Sequence, residues 1–162
     1  GAGLGSSPTP PTDWPTETDG VKRTFKRALQ SARITLADVS AILAAANGGR
    51  MLDQTEAGAY RELFAEEVPP PFVTSIKGAV GESFSGGGIG ACALALSVEK
   101  DCLPPTVGLS TPFAKMNFVM GENKKVNMKH GVLAGISFGG TYAYLVFSSC
   151  KRSTASQHNV EG

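Results

Sequence analysis

The sequence predicts an α/β domain built on a mixed sheet with packed helices. Three observations predict it. Short apolar segments alternate with segments of helical period, glycine and proline clusters punctuate most junctions, and the last apolar stretch divides into two β-rich halves. Of the 162 residues, 41% are hydrophobic, enough for a packed core and too many for intrinsic disorder. The length suits one domain over residues 1–150, with a polar tail over 151–162.

Residues 1–7 are the end of a strand running into a loop. Residues 8–20 carry Pro8, Pro10, Pro11 and Pro15 and cannot be helical. Val21, Phe25, Ala28, Leu29 and Ala32 keep a 3.6-residue period, which predicts a helix over 21–32 with Lys22, Arg23, Lys26 and Arg27 on its outer face. A solvated face is the ordinary role of such a cationic run, and a docking patch for an acidic partner is the functional alternative.

After a short connection at 36–38, the apolar run 39–46 predicts a buried strand, ended by Asn47-Gly48-Gly49. A helix over 53–66 follows, with Asp53 as N-cap and Glu56 at capping-box spacing, stopped by Pro69-Pro70-Pro71. A strand over 72–76 ends at Lys77. The next helix opens at Ser83 or Ser85 and runs to Glu99. It consists of Gly, Ala, Ser, Cys and Leu, so its several glycines call for a close backbone or ligand neighbour. Leu103-Pro104-Pro105-Thr106 breaks it. An exposed strand at 115–119, a polar turn at 123–130, and strands at 131–137 and 141–149 complete the domain.

Charge excludes some functions. Lys and Arg number 15 against 14 Asp and Glu, a net charge of +1, which argues against a nucleic-acid binder resting on a broad basic field. Charged residues make up 18%, below the roughly 25% of an average domain, so much of the surface is expected to be covered by partners. Cys92, Cys102 and Cys150 are odd in number and widely spaced, and His130 and His158 are the only histidines. Neither a zinc site nor a disulfide framework is expected, and a reducing cytosol is the simplest compartment. Residues 131–150 carry no charge over a membrane-span length, but Gly139-Gly140 in the middle and β-branched and aromatic flanks favour two buried strands. The chain opens Gly-Ala-Gly without an initiator Met, so that end is either a cut or the start of the later part of something longer.

Catalysis is hard to place from the residues. Neither histidine has a recognisable partner, and Cys92 and Cys150 have the surroundings of inert thiols. Gly86-Gly87-Gly88-Ile89-Gly90 matches no phosphate-binding pattern. Lys77, at the end of a strand where α/β domains place ligands, can enter an ion network with Asp53 and Glu56, and such networks more often fix geometry than perform chemistry.

Four local patterns, in this order of elements, resemble a known family. They are Gly-Ala-Gly-Leu-Gly-Ser-Ser before a proline-rich loop, Asp-Gly-Val-Lys-Arg-Thr-Phe-Lys-Arg-Ala-Leu, Leu103-Pro104-Pro105-Thr106, and Ile136-Ser137-Phe138-Gly139-Gly140-Thr141. Over residues 1–149 the chain resembles the C-terminal half of a β-ketoacyl synthase of the thiolase-like layered fold. Active members carry His-Gly-Thr-Gly-Thr before Asp-x-x-Glu; Asp53 and Glu56 match the second motif, whereas the first histidine falls on Ala45. The family's lysine is matched by Lys77, but the second histidine position holds Glu82. The phenylalanine gating the acyl pocket falls on Ile136, beside Phe138, Gly139 and Gly140.

The resemblance therefore implies no catalytic residue in this chain. It points to a chain-length-factor-like subunit of type II polyketide or aryl-polyene synthases that walls an acyl tunnel and does no chemistry itself. The implied partners are its own N-terminal half, an active ketosynthase subunit and an acyl carrier protein, with no nucleic acid and no membrane. No cofactor of its own is implied, since acyl groups arrive on the carrier's phosphopantetheine, and the implied location is cytoplasmic. The alternative is the C-terminal half of an active β-ketoacyl synthase or acyltransferase with unusual catalytic groups, Lys77 and Glu82 among them.

Overall fold

The computed structural model describes residues 1–65, 68–83 and 86–150. Strands β1 (Ala2–Ser6), β2 (Val39–Leu43), β3 (Phe72–Thr74), β5 (Asn117–Phe118), β7 (His130–Ser137) and β8 (Thr141–Ser148) form one mixed sheet in the order β1-β8-β7-β2-β3-β5. β2 is parallel to both β7 and β3, and β3 to β5, while β8 runs antiparallel to β7 and β1. Helices α1 (Thr18–Ala32) and α2 (Arg50–Leu63) cover one face; α4 (Gly86–Lys100) covers part of the other. The α/β expectation with a mixed sheet holds.

Alternation along β7 sorts the two faces. Val132, Ala134 and Ile136 join the core under α1 and α2, whereas Leu133 packs with Leu43, Leu94 and Val98 beneath α4. Phe25 of α1 anchors the larger core, with ring centroids 5.3 Å from Tyr144 and 5.9 Å from both Tyr60 and Phe64. α1 lies unusually close to β1, because a Cβ on Gly3 would sit 2.5 Å from the Thr24 carbonyl oxygen. Arg33, in the left-handed region, ends α1 by donating its amide to the last-turn carbonyls.

Several expected boundaries shift. α1 starts at Thr18, before Val21. α2 starts at Arg50 with Gly49 as N-cap, so Asp53 lies inside the first turn and is not the cap; Glu66, its expected end, lies outside the described residues. β2 stops at Leu43: the Ala44 amide still donates to Thr74 of β3, but beyond it the Ala45 amide goes to Glu56 and the Ala46 carbonyl accepts from Ser75 Oγ. Lys77 opens a short helix, α3 (Lys77–Val80), instead of closing a strand. Of the two serines proposed to open the next helix, Ser83 precedes α4 and Ser85 lies outside the described residues, as does the tail 151–162. The polar turn at 123–130 contains β6 (Lys124–Lys125), which pairs antiparallel with β4 (Cys102–Leu103). The uncharged stretch 131–150 is the β7–β8 hairpin, and no helix among the described residues is long and apolar enough to cross a membrane.

Candidate functional site

The site forms where β2 and β3 end side by side and the chain turns into α2 and α3. The loop from Ala44 to Gly49 is held by side chains from three directions. Ser75 Oγ donates to the Ala46 carbonyl at 2.6 Å. From α2, Glu56 accepts the Ala45 amide at 2.9 Å and Asp53 accepts the Asn47 amide at 3.1 Å. Lys77 Nζ donates to the Ala45 carbonyl and pairs with the Glu82 carboxylate at 2.8 Å. Asn47 Nδ2 donates to the same Glu82 oxygen at 2.8 Å. Glu82 is thus the hub that ties α3 to the β2–α2 loop.

Asp53, Glu56 and Lys77 gather at one place, as expected, but not as the expected ion network. Because α2 begins at Arg50, both carboxylates lie beneath the loop and capture its amides, and the ammonium is neutralised by Glu82. Glu56 is 2% exposed. Burial raises its pKa above the ordinary glutamate value, against the opposing hydrogen bonds from Tyr60 (2.6 Å), Ala45 and Ala46. Burial also raises the Asp53 pKa, with Lys77 pulling the other way. The phenols of Tyr60 and Tyr144 are pushed well above their ordinary value, first by burial and then by the nearby Glu56 charge.

Beside the cluster lies a cavity of about 270 Å³. Its apolar wall comes from Ala57 and Tyr60 of α2 and from Val107, Phe113, Met116 and Phe118 of the 104–118 segment. Asn47, Asp53 and Lys77 supply polar lining. Thr106 fixes the segment, its Oγ1 accepting the Ser75 amide at 3.0 Å, while Thr74 Oγ1 donates to the Pro104 carbonyl at 2.7 Å. The roles of Asn47, Ser75 and Thr106 were missed in the sequence. Their only signal was position, beside a strand-end lysine and after a proline pair.

Ile136, Phe138, Gly139 and Gly140 do not border this cavity. Ile136 is buried in the core beneath α1 and α2. Phe138, half exposed, stacks on Trp14 with centroids 4.1 Å apart. Gly139 donates its amide to Asp13 at 3.1 Å. Gly140 has a φ of +70°, and a Cβ there would lie 2.5 Å from Thr9 Oγ1. His130 opens β7, its Nδ1 2.9 Å from Ser148 Oγ. Among the described residues no group of three or more His, Cys, Asp or Glu side chains is placed to hold a metal.

The profile of the family described as Beta-ketoacyl synthase, C-terminal domain, matches residues 6–110. The chain belongs to this family. It is 32% identical over 130 residues to the tetracenomycin polyketide synthase ketoacyl synthase beta subunit of Streptomyces glaucescens, covering 78% of this chain and 31% of that protein. It is 27% identical over 129 residues to the alpha subunit of the same synthase, covering 78% of this chain and 30% of the other. This β-ketoacyl synthase domain therefore spans about a third of the length of the curated relatives it matches.

In fold it is similar to the ishigamide ketosynthase/chain length factor, with a TM-score of 0.85 and 24% identity, covering 93% of this chain and 37% of the other. A type II PKS acyl-carrier protein in complex with its ketosynthase bound to the hexaketide gives a TM-score of 0.87 at 21% identity, covering 93% of this chain and 38% of that one. These likenesses establish the thiolase-like ketosynthase fold.

Proposed function

We propose that this domain is the C-terminal portion of a non-catalytic, chain-length-factor-like subunit. In that role it pairs with an active ketosynthase and helps to shape the acyl tunnel in type II polyketide or fatty-acid-like synthesis. The observation that carries the reading is the pairing at Glu82. Decarboxylative condensation generates an enolate oxygen that needs preorganised hydrogen-bond donors. At the two positions where the family places histidines, Ala45 offers no side-chain donor and Glu82 offers an anion. The one cation there, Lys77, is committed to Glu82 and to the Ala45 carbonyl. Its pairing with Glu82 also weighs against using Lys77 and Glu82 as unusual catalytic groups. Greater identity to the beta than to the alpha subunit of one synthase supports the same conclusion.

The surface left uncovered supports the other partners. The outer face of α4 presents Ile89 (47% exposed), Cys92 and Leu96 (54% exposed), an apolar stripe suited to the remaining part of the protein, its own N-terminal half. Acyl groups would reach the complex on the phosphopantetheine of an acyl carrier protein in the cytoplasm, with no cofactor bound by this chain. The half-exposed Phe138, on the turn that includes Gly139 and Gly140, is the part of the expected tunnel wall still open to such a partner.

The test is covalent acyl loading. The complex reconstituted from full-length subunits is incubated with labelled malonyl- and acyl-carrier protein, and each polypeptide is weighed by mass spectrometry. Label is expected on the partner ketosynthase alone; label on the polypeptide containing this domain overturns the reading. The double variant A45H/E82H is expected to leave the activity of the complex unchanged.

A further inference from the structure

β1 is an edge of the six-stranded sheet, and its backbone groups face two ways. Toward β8, Gly1 exchanges hydrogen bonds with Val146, and the Ser7 amide donates to Gly140. By alternation, Ala2, Leu4 and Ser6 direct their peptide groups away from the sheet. All three meet a side chain of α1. The Ala2 amide donates to Ser31 Oγ at 3.2 Å, the Leu4 carbonyl accepts from Arg27 Nη1 at 3.2 Å, and the Ser6 carbonyl accepts from Arg23 Nη2 at 3.1 Å. Arg23, Arg27 and Ser31 are spaced i, i+4, i+8, one turn each, so a single helical row runs along the strand edge.

We propose that this row closes the β1 edge against pairing with β1 of a second copy of the chain. The strand needs such protection. Gly-Ala-Gly-Leu-Gly-Ser has no charge and no proline, and Leu4 is 71% exposed, the composition of a ready template for strand addition. A second copy of β1 could pair only by displacing both arginines from the carbonyls. It would also bring its own α1, with Lys22, Arg23, Lys26 and Arg27, toward the same cations. Two cations of the basic face are therefore occupied with the protein's own backbone. That assigns them a role other than the solvated face or acidic-partner patch that their sequence suggests, and it does not depend on the functional reading above.

The probe is a synthetic peptide of residues 1–7, titrated into the 162-residue chain and into its R23A/R27A variant, with circular dichroism to check that the variant is folded. The variant should bind the peptide roughly thirtyfold more tightly than the wild type, the equivalent of two recovered backbone hydrogen bonds. Amide exchange at Leu4 and Ser6, whose N–H groups point outward, should slow in the complex. R23K/R27K keeps two donors and should behave as the wild type. Equal affinity of wild type and R23A/R27A, or binding that leaves Leu4 and Ser6 exchange unchanged, overturns the proposal. Should R23A/R27A fail to fold, the single variants R23A and R27A are each expected to show part of the gain, and no gain in either overturns it equally.

Discussion

Glu56 illustrates how one buried carboxylate makes stability depend on pH. Its folded-state pKa lies above the ordinary value of 4.5, chiefly through burial, so the folded chain holds that proton more tightly than the unfolded chain. Stability from this group is therefore greatest below about pH 4.5 and declines as pH rises toward the folded-state pKa. Asp53, raised from 3.8, acts in the same direction. Urea denaturation at a series of pH values should show this decline in the wild type and a flatter profile in E56Q. Glu82 sits differently. Its side chain is 47% exposed, and that of Lys77 21%, so solvent screens the pair. E82Q should cost no more than about 1 kcal/mol in the same assay. The sequence placed Asp53, Glu56 and Lys77 together, because motif spacing on a helix and a strand end survives small shifts. It did not disclose which atoms meet, since moving the start of α2 from Asp53 to Arg50 redirects both carboxylates from the ammonium to the loop amides.

Among the elements, the packing of α1 on β1 is the contact most sensitive to a single carbon. The Cβ of alanine at position 3 would lie 2.5 Å from the Thr24 oxygen and 2.7 Å from the Ala28 nitrogen, both backbone atoms that cannot rotate away. G3A should therefore destabilise the chain by about 1–3 kcal/mol, read as a lower urea midpoint with an unchanged slope. The alternate glycines of β1 are thus a packing requirement, and the glycine-rich composition becomes partly intelligible. The β7–β8 hairpin was legible because Gly139-Gly140 interrupts two β-branched, aromatic runs. The β4–β6 pair was not. Two-residue strands carry no periodicity, and Lys124-Lys125 has the composition of a solvated turn. α4 was legible as a helix, and its small residues leave close approach open to a neighbour on its outer side.

For the molecule as a whole, the open face of α4 fits its span of about a third of its relatives. L96D should abolish co-purification with the proposed N-terminal half when the two parts are co-expressed, while leaving the helical circular dichroism signal intact; retained binding would place the contact elsewhere. Fold class was readable because layered α/β order follows from hydrophobic segments and their punctuation. The cavity was not, since it depends on how the 104–118 segment folds back over β3 and α2. The placement of β1 also bears on how the chain reaches this fold. Among the described strands β1 pairs with β8 alone, and the Gly1 nitrogen meets the Val146 carbonyl 145 positions away in sequence. Such a non-local contact carries a large loop-closure cost and places its formation late. β1 must wait for β8 to emerge, so refolding of this edge should be the slowest phase and its amides the last to gain protection.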